Sequence, residues 1–409
     1  MVTLAFCRRC ALCSLALLVA VVFLGSGGIL RAQYAEFDIW VAQLKAEAEQ
    51  RGLTSPGVEF ALADVRYVDR VIELDRRQPE LTQTFWRYTE SRVTESRVAQ
   101  GRAYLSAYGP LLDEIQTRWK VPPQILIALW GLESDYGRIQ GDFDLVSAVA
   151  TLAFDSRRSG FFRQQLFAAL ELIERGDLPP DVRGSWAGAI GQPQFIPTTM
   201  RAYAVDYDGD GRRDLSESLS DVFASAANYL HASGWDGRQS WGQEVRLSED
   251  FDYLEAGLEV EKPLRAWQAM GVRQADGSDL PNPDEPGSVL LPAGINGPAF
   301  LVQPNFRVIL RWNNSVLYAL AVGLLSDRIA GSGPLVAQRW GEEVPLSRWD
   351  VVELQSRLST LGFEAGEPDG VVGEKTRRAI RLFQRSVAIP ADGYPDPGLL
   401  QQLRTQPGQ

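Results

Sequence analysis

Apolar residues recur along most of this chain at helical rather than strand spacing. In FDIWVAQLKAEAEQRG, Ile39, Val41, Leu44 and Ala48 fall at near three-to-four spacing and Gly52 closes the run, which predicts a helix ending there. Ser55-Pro56 opens another. Val121-Pro122-Pro123 breaks one helix and starts the next, because proline suits a first turn and not an interior. SAVATLAFD, GFFRQQLFAALELIERG and LSDVFASAANYLHASGW continue the pattern. From about Ser240 to Phe306 glycine and proline become frequent, and SVLLPAG and AFLV read as short strands. FRVILRWNNSVLYALAVGLLSDRI then predicts a return to helix. The fold class expected is mainly α with small β parts.

The end of the chain is a separate small unit. Between Trp349 and Leu403, helical spacing places Val352, Leu354, Leu358 and Leu361 mainly on one face, and Thr376, Ala379, Ile380 and Phe383 on a second helix. Gly362, Gly370 and Gly393 mark the turns. Residues 333–348, rich in glycine and proline at their start, read as a linker.

The beginning differs from both. Arg8 and Arg9 precede an apolar run from Ala11 to Gly25, and small residues follow. That order predicts a secretory signal over residues 1–32, with Leu30-Arg31-Ala32 as the cleavage site, and hence a periplasmic protein. Left uncleaved, the segment would anchor the chain in the inner membrane, although the run is short for a spanning helix of ~20 residues. Cys7, Cys10 and Cys13 all lie in or before that run, so the mature chain has no disulfide and no thiol nucleophile. Of the 409 residues one is histidine, His231, which leaves no Cys/His catalysis and no histidine-rich zinc site. The net charge is −11, and −14 without Arg8, Arg9 and Arg31, so nucleic acid is not an expected partner.

Two stretches carry chemistry. DYDGDGRRDLSE, Asp206 to Glu217, fits the calcium-loop pattern D-x-D-x-D-G-x5-E. Asp206, Asp208 and Asp210 would give side-chain oxygens, Arg212 its carbonyl, Asp214 a water-mediated contact and Glu217 a bidentate carboxylate. Extracellular modules of this kind bind with dissociation constants on the order of 10⁻⁴–10⁻³ M, which predicts a structural Ca²⁺ rather than a sensor. The second stretch is WGLESDYG. An apolar helix, ILIALW, ends in Glu133, with Leu129, Trp130 and Tyr136 at neighbouring helical positions. An apolar setting favours the neutral carboxyl, and a protonated acid can give its proton to a leaving-group oxygen. Asp135 reads as surface or end-capping, and nothing places Asp142 or Asp144 as a second acid.

LIALWGLESDYGRIQGDFDLVSAVATLAFDSRRSGFFRQQL, GSWAGAIGQPQFIPTTMRAYAVDYDGDGRRDL and NFRVILRWNNSVLYALAV occur in that order. Together, over about residues 35–332, they resemble the membrane-bound lytic murein transglycosylase B family. The resemblance implies a lysozyme-like catalytic domain over residues 33–332 that cleaves the MurNAc-β-1,4-GlcNAc bond of peptidoglycan strands without water, leaving 1,6-anhydro-MurNAc ends. Glu133 matches the family's single general acid and base, and no cofactor is implied for catalysis. Ser185, Gln194, Trp312, Asn313 and Tyr318 match positions that line the cleft and bind substrate. Two departures stand out: Trp312 where the family usually has tyrosine, and Gln192-Pro193 where it usually has Tyr-Gly. The L-Q-x-x-L-x-x-L-G, D-G-x-x-G-x-x-T and A-I-x-x-F-Q elements of residues 349–405 resemble a three-helix peptidoglycan-binding domain, which would hold the enzyme near its substrate. Proteins of cell-wall synthesis or division are the partners such an enzyme implies. The alternatives are a muramidase that uses water and a wall-binding scaffold without catalysis.

Overall fold

The structure, a computed structural model, describes residues 33–76, 83–341 and 343–406. The expected signal and all three cysteines lie outside the described residues. These divide into two compact units. The first holds the described residues up to Arg76, with Gly141–Ile190 and Phe195–Arg201. The second holds those of Arg77–Gln140, Gly191–Gln194 and Ala202–Gln409.

In the first unit, residues 33–50 are helical and bury Phe37, Val41, Leu44 and Ala48. Ile39, expected on the buried face, is 62% exposed. The steps 37, 41, 44, 48 follow the helical period, and Phe37 sets the register by packing its ring 5.4 Å from Tyr67 and from Phe154. Ser55 caps the helix Pro56–Ala63 by accepting from the Val58 amide. Helices Leu145–Phe154 and Ser159–Glu174 pack together, and every residue from Leu145 to Ala153 is buried. A two-residue strand, Phe143–Asp144, pairs antiparallel with Arg183–Gly184.

The second unit is organised around one apolar cluster that includes Trp130, Phe223, Phe306, Ile309 and Leu320. Beside it lies a five-stranded antiparallel sheet in the order Lys262–Pro263, Pro286–Leu290, Ala299–Val302, Gly242–Arg246, Arg273–Gln274. Val289 opposes Leu301 in it, and both bury against Trp267. Trp241 leads into Gly242–Arg246, the first of these segments in sequence. Its Nε1 donates to both oxygens of Asp327 at 3.2 Å, and burial pushes the Asp327 carboxyl up to about 6.

The run expected as one helix after Phe306 is two. Pro304–Trp312 and Val316–Ala330 meet at 114°. Asn313, Asn314 and Ser315 are residues whose short polar side chains favour caps over helix interiors. Asn313 is extended, and Ser315 Oγ accepts from the Tyr318 amide to start the next helix. Among the described residues no single helix is long and apolar enough to cross a membrane; this bent pair passes by composition, and its apolar residues are largely buried in the cluster above.

Three C-terminal helices, Arg348–Thr360, Glu374–Ser386 and Pro397–Thr405, share their own cluster of Leu354, Leu358, Ile380, Phe383, Leu399 and Leu403. Ser347 and Asp350 form a capping box at the first. Val351 is buried there in place of the expected Val352, and Leu361 is half-buried past the helix end. Thr376, Ala379, Ile380 and Phe383 are all buried, as their spacing predicts. Arg381 Nη1 donates to Glu259 Oε1 at 2.9 Å, and the Ile295 amide donates to Asp392 at 3.1 Å, which ties these helices to the β-rich segment.

Candidate active site

The helix Pro123–Ser134 is apolar all round, and Ile125 to Gly131 are all buried, as such a helix must be. It stops because Asp135, Tyr136 and Gly137 take left-handed backbone angles, φ 52°, 61° and 83°. For the two residues with a Cβ that conformation costs ~1–2 kcal/mol each. Local bonds offset it. The Tyr136 amide donates to Trp130 O at 3.2 Å and the Ile139 amide to Ser134 O at 2.9 Å. Tyr136 itself is buried, its hydroxyl donating to Arg97 O at 2.6 Å. A Cβ at Gly131 would lie 2.8 Å from the Tyr136 ring, so glycine there lets the turn fold back on the helix. Asp135 caps the end and pairs with Arg97 and Arg138. Glu133 is thereby held half-buried in the last turn.

Two side chains from the bent helix pair reach Glu133. Trp312 Nε1 donates to its Oε1 at 2.8 Å, and Tyr318 Oη donates to the same oxygen at 2.5 Å. On a straight helix residues six apart would point in different directions, because each residue turns about 100°. The break at Asn313–Ser315 brings both onto one atom. The Trp312 ring is fixed from behind. It stands edge-on to Tyr229 at 5.1 Å and lines a small apolar cavity with Leu126, Leu129, Trp130, Pro193 and Phe223. Trp312 and Pro193, which belong to the two departures from the family pattern, thus share one cavity. Tyr318 is buried, and burial together with the neighbouring Glu133 charge raises its phenol well above the ordinary value, so it remains a donor.

The other expected substrate residues are placed differently. Asn313 is half-buried at the helix break, and its side chain makes no hydrogen bond among the described residues. Gln194 has φ 52°, and its Nε2 donates to Gln140 O at 3.0 Å and Gly191 O at 2.8 Å. Ser185, in the first unit, accepts the Ala189 amide at 2.9 Å and the Ala187 amide at 3.3 Å within its own turn.

Gln192 was visible in the sequence only as the loss of an aromatic. Its Oε1 accepts from Trp130 Nε1 at 2.7 Å, and its Nε2 donates to Ser216 O at 2.7 Å. It therefore connects the acid helix to the end of the acidic loop. The Trp130 indole, buried and in need of an acceptor, is the signal that could have found it.

In that loop Asp206, Asp208 and Asp210 bring carboxylate oxygens within 4.8 Å of one another. Asp206 accepts from the Gly209 and Gly211 amides, and Asp210 from the Arg212 amide. Hydrogen bonds from Ser218 and Ser220 hold Asp208 below the usual carboxylate range. Asp214 turns to the Ser216 and Glu217 amides, and Glu217 is exposed; neither belongs to the close cluster. Asp221 was not anticipated. It is fully buried and accepts from the Tyr207 and Asp214 amides at 2.8 and 2.9 Å, clamping the loop near both ends.

Residues 36–327 match the family described as transglycosylase SLT domain, and residues 347–403 match the putative peptidoglycan binding domain. The chain is 29% identical over 293 residues to membrane-bound lytic murein transglycosylase B of Escherichia coli (strain K12), covering 69% of this chain and 80% of that protein. Among solved structures it is similar to SltB3 from Pseudomonas aeruginosa in complex with NAG-anhNAM-pentapeptide, with a TM-score of 0.87, 47% identity, and coverage of 90% and 99% of the two chains. It is also similar to the Escherichia coli lytic transglycosylase Slt35 in complex with calcium, at a TM-score of 0.61 and 28% identity, covering 72% and 92%.

Proposed function

Because the chain belongs to the transglycosylase SLT domain family, we propose that it cleaves peptidoglycan with Glu133 as its one general acid and base. The single observation that carries this reading is the hydrogen-bonding of Glu133 Oε1 by both Trp312 and Tyr318, at the end of a buried helix. A carboxyl fixed in this way can serve both halves of the reaction. It first gives its proton to the glycosidic oxygen as the bond from muramoyl C1 breaks. The carboxylate then takes the proton of the muramoyl C6 hydroxyl as O6 bonds to C1. The acid is regenerated, no water is consumed, and the product is a 1,6-anhydro sugar. One carboxylate suffices because the internal hydroxyl does the work of the second group in two-carboxylate glycosidases.

Residues 33–332 form the catalytic part in this reading, and residues 349–405 hold the wall. Asn313 has the most support as a sugar contact, since its side-chain carboxamide makes no hydrogen bond among the described residues. Ser185 and Gln194 already hold their own turns, so a sugar contact from Ser185 uses its hydroxyl hydrogen and one from Gln194 its carboxamide oxygen. The loop at Asp206, Asp208 and Asp210 presents only hard oxygen donors, which suits calcium, and the Arg212 carbonyl, Asp214 and Glu217 complete the proposed set. A bound ion there would stiffen the loop. Residues 1–32 would direct the chain to the periplasm.

Digestion of purified sacculi by residues 33–409 tests the reaction. Anhydro-muramoyl ends made by the unmodified protein and not by Glu133→Gln are expected in the mass spectrum. Reducing muramoyl ends would mean a hydrolase. Binding without release by the unmodified, folded protein would mean a scaffold.

A further inference from the structure

We infer that Gln192 is a positioning residue through which the acid helix responds to the state of the acidic loop. The inference rests on Glu133 being the acid and on the loop being a calcium site, and it deepens both assignments. Gln192 is buried, and both ends of its carboxamide are committed. Oε1 accepts from Trp130 Nε1 at 2.7 Å, and Nε2 donates to Ser216 O at 2.7 Å. Its backbone amide donates to Leu215 O at 2.8 Å. A Cβ at Gly191 would lie 2.4 Å from that same carbonyl oxygen, so glycine is what lets this turn sit so close to the loop. Gln140 reaches the loop from the other side of the acid. Its Nε2 donates to Ser216 O at 3.2 Å and to Gly137 O at 3.3 Å. Ser216 O is thus the common acceptor of two side chains, one bonded to the helix before Glu133 and one to the turn after it.

The opposite edge of that peptide group faces the loop. The Glu217 amide donates to Asp214 Oδ1 at 2.9 Å, as the Ser216 amide does at 2.8 Å. A peptide group is planar, so the Ser216 carbonyl and the Glu217 N–H turn as one piece. Asp214 and Glu217 both belong to the proposed ligand set. A rearrangement of either therefore turns the carbonyl that Gln192 holds. The carboxamide of Gln192 is bonded at both ends, and it passes that turn to the Trp130 indole. Trp130 lies three residues before Glu133, on the same face of the helix. Its ring also lines the small apolar cavity with Trp312, whose Nε1 donates to Glu133. The loop can thus reach the acid through the helix that carries it and through one of its donors.

The test compares residues 33–409 in chelator and in about 10 mM calcium. Melting temperature reports binding at the loop. The indole N–H signal of Trp130 in a ¹⁵N-labelled sample, identified by its loss in Trp130→Phe, reports the helix. Release of anhydro product from sacculi gives kcat and KM. In the unmodified protein calcium should raise the melting temperature and shift the Trp130 signal. It should also change kcat about fivefold or more, the low end of ordinary coupling between sites, and KM by less than about twofold. Gln192→Met keeps the length of the side chain and loses both hydrogen bonds. It should retain the gain in melting temperature and lose the calcium-dependent shift and the calcium dependence of kcat. Gln192→Asn, one methylene too short to reach both partners, carries the same expectation should the methionine variant fail to fold. A glutamine that only stabilised the fold would lower activity equally with and without calcium. A gain in melting temperature with an unmoved Trp130 signal, or a shift that persists in the variants, would overturn the inference and leave the calcium site standing. No gain in the unmodified protein would remove the calcium site and the inference with it, and activity in Glu133→Gln would do the same through the acid.

Discussion

In the loop from Asp206 to Glu217 the carboxylates accept from amides two to five residues away. Glu133 instead accepts from side chains 179 and 185 residues along the chain. The loop supplies most donors to its own carboxylates, and Asp221 and two serines come from the start of the helix that follows. The acid brings none of those donors. Its place depends on a helix stop at Ser134, a helix break at Asn313 and the packing that brings the two together. A ligand loop can be carried as a short motif, whereas a carboxylate held by distant donors is a property of the whole fold.

The largest expected effect is at the distant site. Glu133→Gln should lower anhydro product formation by about 10²–10⁴-fold, the usual worth of general acid–base catalysis, with the melting temperature little changed. Tyr318→Phe removes one of the two donors and leaves the ring. It should lower kcat about 10- to 100-fold, in line with a hydrogen bond to a charged group worth ~1.5–3 kcal/mol, measured as initial rate on sacculi. The local site should respond in stability instead. Asp208→Asn with Asp210→Asn should reduce the gain in melting temperature between chelator and about 10 mM calcium. That gain corresponds to ~1–3 kcal/mol for dissociation constants of ~10⁻⁴–10⁻³ M. The absence of any calcium-dependent gain in the unmodified protein would remove the metal assignment.

A third carboxylate sharpens the contrast at small scale. Asp327, like Glu133, is bonded by a distant tryptophan. Its folded carboxyl sits near 6, above the usual value of 3.8, because it is buried. The folded state therefore binds more protons than the unfolded one between about pH 4 and 6. Stability is full below that window and is lost as pH rises through it. Asp327→Asn should flatten the slope of denaturation free energy across pH 4–6 and add about 1 kcal/mol at pH 7.

The same contrast governs what could be read in the residues alone. The acidic loop, the Ser55 cap, the second C-terminal helix and the Glu133 helix were legible, since each depends on neighbours within a few positions. Ile39 misled because Phe37, and not the next apolar residue, took the buried face. The break at Asn313 was written in three cap-forming residues but masked by the apolar periods on either side. That Trp312 and Tyr318 would donate to Glu133 was not legible, because nothing in a linear sequence tells which polar atom a distant donor will meet. Gln192 looked like a loss for the same reason: its partners, Trp130 and Ser216, lie on either side of it and far off.

The span from Glu133 to Tyr318 also fixes when the site comes into being. A chain synthesised or cut between residues 218 and 317 contains Glu133, the acidic loop and the first unit, yet lacks Tyr318, a donor to Glu133. Closing so long a loop is slow and has to precede any reward from the contacts it makes. With Glu133 as the proposed acid, a nascent chain or amino-terminal fragment of that kind is expected to release no anhydro product, and only the whole chain to cut peptidoglycan.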